Sequence, residues 1–155
     1  MTSDLSLLID ALDEAFDKAS WHGPNLRGAL RGVDAAQAAW RPQTQRHSIW
    51  ELTLHAAYWK YVVRRRITGE RRGSFPLQGS NFFPIPDSPS DAAWREAMRL
   101  LAEQHHALRS VVAGLTSVEH VRMIRGAAAH DIYHAGQIQL IKRLFRDRPD
   151  KRTAS

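Results

Sequence analysis

Apolar residues recur along most of this chain at spacings of three and four, the period of a helix that buries one face. Leu5, Leu8, Ile9, Leu12, Ala15 and Phe16 mark a first amphipathic helix over about Asp4–Ser20, which Gly23 and Pro24 interrupt. Asn25 to Gly32 reads as a short helix, and the stretch through Trp40, Pro42 and His47 as a structured connection. Ser48 followed by Glu51 fits a capping box, in which each side chain satisfies a free backbone donor of the other residue. The apolar run behind it predicts a second long helix over Ile49–Thr68.

From Gly69 to Pro89 three glycines and four prolines forbid a helix interior and predict a long crossover or lid loop, pinned to the rest by Phe75, Phe82 and Phe83. Trp94, Met98, Leu101, His105, Leu108, Val112 and Leu115 then predict a third helix over Asp91–Ala113, ended by Gly114. Thr116 and Glu119 suggest a second capping box. Met123, Ala127, His130, His134, Gln137, Ile141 and Leu144 carry a fourth helix to about Phe145. No alternating strand pattern competes, so the expected fold is all-α: an antiparallel four-helix bundle with a long crossover loop. One domain over 1–148 is expected, with 149–155 as a flexible tail.

Composition narrows the class without changing the fold. A content of 43% hydrophobic and 25% charged residues is that of an ordinary globular chain. The acidic, amphipathic N-terminus and the lack of any apolar run near ~20 residues predict a cytoplasmic protein with no membrane association. The net charge of +6 includes clusters at Arg64–Arg66, Arg71 and Arg72, and from Lys142 to Lys151. These read as a solvated surface, and no recognition motif points to specific nucleic-acid binding. With no cysteine, any metal must be held by His, Asp or Glu.

The last helix carries polar residues on the line that should face inward. In HDIYHAGQ, His130 and His134 are one helical turn apart, so their rings can converge on one ion. Taken alone, the pair is as readily two satisfied core histidines as two ligands. Its place on the inward seam shifts the balance, because each unsatisfied buried imidazole costs ~1–3 kcal/mol that a shared ion would remove. His55 shares the inward stripe of the second helix with Leu52, Trp59 and Val62 and is the best third ligand. Three neutral nitrogen ligands leave an open coordination position, the arrangement of catalytic zinc sites. Such an ion lowers the pKa of bound water or thiol, or polarises a substrate oxygen.

The segments AWRP at Ala39–Pro42, SIWELTLHAAYWK at Ser48–Lys60 and HDIYHAGQIQLIKRL at His130–Leu144, together with WHGPNL at Trp21–Leu26, carry a resemblance across nearly the whole chain. They are similar to the DinB-like family of bacterial four-helix bundles, named for DNA-damage inducibility. The resemblance implies a divalent ion, zinc or nickel foremost, held by His55, His130 and His134. It also implies a metal-dependent transferase or isomerase chemistry in some relatives, with a low-molecular-weight thiol such as bacillithiol or mycothiol as cofactor, and association as a homodimer.

Further candidates surround this triad. Asp131 takes the place of the base in the His-Glu-x-x-His protease motif, but its shorter side chain points away from proteolysis and toward orienting another group or facing solvent. Glu51 lies one turn before His55, although capping already accounts for it. His22, Trp59, Gln137 and His105 are candidate pocket residues, with a satisfied structural role the plainer reading of the two histidines. A di-iron site is excluded by the lack of inward glutamates. The leading expectation is a metal-dependent transferase or hydrolase acting on a small molecule; the alternative is a noncatalytic metal or small-molecule binding bundle.

Overall fold

The structure is a computed structural model and describes residues 3–149. The tail expected over 149–155 lies, apart from Pro149, outside the described residues. Helices α1 (Ser3–Phe16), α4 (Ile49–Thr68), α5 (Asp91–Ala113) and α6 (Val121–Arg146) form the bundle. Two five-residue helices, α2 (Leu26–Leu30) and α3 (Ala35–Ala39), cover one end, and no strand occurs among the described residues. No described helix is long and apolar enough to cross a membrane.

Local chemistry sets most of the boundaries. Ser48 and Glu51 complete their capping box at 3.1 and 2.8 Å, which together with the following apolar run starts α4 where expected. Gly69 ends it with a φ of 72°, a left-handed conformation that glycine adopts without steric cost. Asn25 and Asp34 cap α2 and α3 through their side chains, and Ser90 caps α5.

Two expected boundaries differ. Helix α1 stops at Phe16 rather than Ser20, because the amides of Asp17 and Lys18 both close onto the Asp13 carbonyl and turn the chain away. The capping box expected at Thr116 and Glu119 does not form. Val121 N donates to the Val118 carbonyl, and α6 begins after His120 with no side-chain cap.

The loop over 69–90 crosses the bundle, so α4 and α5 run in the same direction. Trp50 and Trp94, each near the start of its helix, pack with ring centroids 5.2 Å apart; further along, Lys60 and His105 share the Phe16 ring. Helix α6 runs antiparallel to α4, matching His55 with His134 and Lys60 with Asp131. Phe75 and Phe83 bind the crossover to Tyr58, and Phe82 lies against His55. The core divides into a large cluster around α4 and α5 and a smaller one in which Leu5, Leu8 and Leu12 meet Val112 and Ile124.

Candidate metal centre

Helix α6 turns a different line inward from the one its hydropathy suggests. Ile124, Ala127, Ala128, Asp131, His134, Ala135, Ile138 and Ile141 form the buried face, whereas His130 and Gln137 are half-buried and Leu144 is exposed. His134 therefore belongs to the buried face and His130 lies at its edge, both opposite His55 in the groove between α4 and α6. Edge placement gives a cluster that is shielded and still reachable.

His130 Nε2 lies 3.1 Å from His55 Nε2 and 3.0 Å from His134 Nε2. Ligand atoms of all three residues fall within 4.8 Å of one another, and no other such group occurs among the described residues. Adjacent corners of a tetrahedral or octahedral shell with metal–nitrogen bonds of about 2.0–2.1 Å are about 2.8–3.4 Å apart. The two spacings to His130 fit adjacent corners of such a shell.

The outer ring nitrogens settle the protons. His55 Nδ1 donates to the Asn81 carbonyl at 2.9 Å, and His134 Nδ1 donates to Gln137 Oε1 at 2.6 Å. Both rings therefore present Nε2 lone pairs to His130. A hydrogen on His130 Nε2 can satisfy only one of them. Extra protons do not resolve this near neutrality, because desolvation and the neighbouring rings push His130 down to about 3, and desolvation pushes His134 down to about 4. Burial lowers His55 as well. Converging ring nitrogens with at most one hydrogen among them are what a divalent cation fits.

The crossover loop builds the wall around His55. Asn81 is the only non-glycine residue with positive φ, 68°, among the described residues. Asparagine tolerates this left-handed conformation better than most side chains. There its carbonyl faces His55 while its Oδ1 accepts from Trp59 Nε1 at 3.0 Å. Phe82 stacks on His55 at 4.1 Å and on His47 at 3.8 Å, forming an aromatic column beside the cluster.

The remaining candidates are distributed unevenly. Trp59 borders the cluster, and Gln137 orients His134. Glu51 is committed to its capping box and to Arg41. Asp131 is neither solvent-facing nor in contact with a ligand histidine: it is fully buried against Lys60, whose side chain is only 2% exposed. His105 is not a pocket residue near the triad but stacks on Phe16 at 3.8 Å, beside Asp13. His22 is exposed, in a segment where Trp21 is fully exposed too, because the early end of α1 carries WHGP outward.

Sequence reasoning missed Asn81, Phe82, His47 and Lys60. Lys60 had a visible signal: it interrupts an otherwise apolar stretch of α4. Asn81 had almost none, since its contact with His55 uses a backbone carbonyl that every residue possesses.

The sequence profile of the DinB superfamily matches residues 19–138, most of the chain and all three histidines. The chain belongs to that superfamily. No curated protein and no solved structure matches it.

Proposed function

We propose that this DinB-superfamily bundle holds a divalent ion, zinc or nickel, on His55, His130 and His134, and uses it as a metal-dependent transferase or hydrolase for a small molecule. The carrying observation is the pair of outer hydrogen bonds that turns two Nε2 lone pairs onto His130 Nε2 at about 3 Å. When bound, the ion would supply Lewis acidity and a nucleophile at neutral pH. Gln137 and the Asn81 carbonyl hold the ligand tautomers, Phe82 and Trp59 exclude water from two sides, and half-buried His130 leaves an approach along the groove. The proposal includes a low-molecular-weight thiol as co-substrate, since a thiolate suits an ion held only by neutral ligands.

Elemental analysis of untagged protein tests the centre. Near-stoichiometric metal in the parent, lost in folded His55→Ala, His130→Ala and His134→Ala variants, is the expected result; equal metal content in parent and variants would sink it. A screen of thiol transfer and hydrolysis on loaded protein then tests catalysis. Stable binding without turnover, with a large loss of melting temperature on chelation, would instead identify an ion that only secures α4 to α6.

A further inference from the structure

A hollow of about 890 Å³ opens where the connection between α3 and α4 faces the C-terminal half of α6. Its size falls in the range of small-molecule sites. Trp40, Leu52, Leu140, Ile141 and Leu144 give it an apolar wall, in which Leu140 is 57% and Leu144 43% exposed. Large aliphatic side chains left this open gain most from an apolar ligand body.

The charges on the rim have one predominant sign. Arg46 and Arg148 line the hollow against one acid, Asp147, whose carboxylate accepts from Arg146 Nε at 3.1 Å, and His47 lines it with Glu51 Oε1 3.8 Å from its Nδ1. Arg46 has no carboxylate partner among the described residues, and the Arg148 guanidinium lies over the Phe145 ring. A second large hollow, between α2 and α5, is also mostly basic, with Arg27 facing Asp17, Arg99 paired with Glu96 and Glu103, and Arg31 and Arg95 on its lining; it has no wall in common with the histidine cluster.

The first hollow also shares walls with the histidine cluster. His47 stacks on the same Phe82 ring that covers His55, and Gln137 both lines the hollow and bonds His134. We propose that this basin binds a small amphipathic anion, with its apolar body against Trp40, Leu140 and Leu144 and its anionic group at the Arg46–His47 rim. The inference rests on the proposed metal centre for its catalytic meaning, while binding in the basin can be measured without the ion.

Calorimetric titration with octanoate, octanol and octylamine tests it, using metal-loaded protein and the metal-free His130→Ala variant. Octanoate should bind about ten-fold tighter than octylamine in both, and Arg46→Gln should weaken octanoate about ten-fold while leaving octanol unchanged. Equal binding of octanoate and octylamine would overturn the proposal. So would an octanoate preference confined to loaded protein, which would place the anion on the ion alone. A concentration-dependent dimer abolished by Leu140→Glu, with no octanoate binding in the monomer, would assign the surface to a second copy of the chain. Metal absent from the parent with the octanoate preference intact would refute the metal centre and leave the basin standing.

Discussion

The histidine cluster and the ion-pair cluster are neighbours along α4 and α6, and they handle charge in opposite ways. Around Lys60 each strong charge has a counter-charge from another part of the fold: Lys60 meets Asp131 across the two helices, and Asp13 receives Arg109 and Lys18. Among the described residues no carboxylate pairs with His55, His130 or His134, and ring nitrogens converge instead. A buried charge closed off by its partner holds helices in register; three ring nitrogens drawn together with at most one hydrogen between them leave a place for a cation. Asp131 and His130 are adjacent in sequence and fall on opposite sides of this division.

Breaking the ion-pair cluster should produce the largest effect. Lys60→Met leaves a fully buried carboxylate without its cation, which typically costs about 3–5 kcal/mol. Urea unfolding of metal-free protein should show that loss, and the double variant Lys60→Met, Asp131→Leu should recover most of it. If the single variant costs under about 1 kcal/mol, the pair is not a required counter-ion.

The histidine cluster should respond to its supports through affinity for metal. Asn81→Val introduces a β-branched side chain where φ is 68°, so the loop must move and the His55 acceptor goes with it. Loss of such a support typically weakens metal binding about 10–100-fold. Asn81→Gly keeps the backbone conformation and carbonyl, so competition with a chromogenic chelator should show a smaller loss. Equal loss in both would assign the effect to the bond with Trp59. Gln137→Leu removes the acceptor of His134 and should cost about ten-fold in the same assay. Unchanged affinity would show that His134 is oriented by packing alone.

The contrast between these clusters also marks what the sequence could reveal. The α4 cap was legible because all its partners lie within three residues. The face of α6 was harder: its buried line is built partly of Ala127, Ala128 and Ala135, which carry little hydropathy, so larger side chains beside it drew the seam toward the histidines. That bias still marked the metal-ligand candidates, because the histidines occupy the border of the groove. The crossover was legible from the length and proline content of 69–89, but the partnership of Lys60 with Asp131 spans 71 residues and depends on the register of α4 against α6, which no local pattern encodes.

His105 provides the smallest and most selective test, because it belongs to the charged cluster and stays neutral. Burial first, then the positive charge of Lys60, pushes its pKa down to about 3. Its Nδ1 has no hydrogen-bond partner, so no acceptor helps to retain an added proton. The unfolded chain takes up that proton near pH 6.5 and the folded chain does not, so stability is greatest above pH 6.5 and declines as pH falls toward 3. Between pH 7 and 5.5 this one group should remove about 1 kcal/mol. Urea midpoints of metal-free parent and His105→Leu isolate that term, since the other histidines titrate alike in both and cancel in the difference. The ring resonance of His105 should show no titration step down to pH 4. A step near pH 6.5 would mean that Asp13, with its carboxylate 4.0 Å from His105 Nε2, holds an imidazolium, and the charged cluster would then extend one residue further into the core.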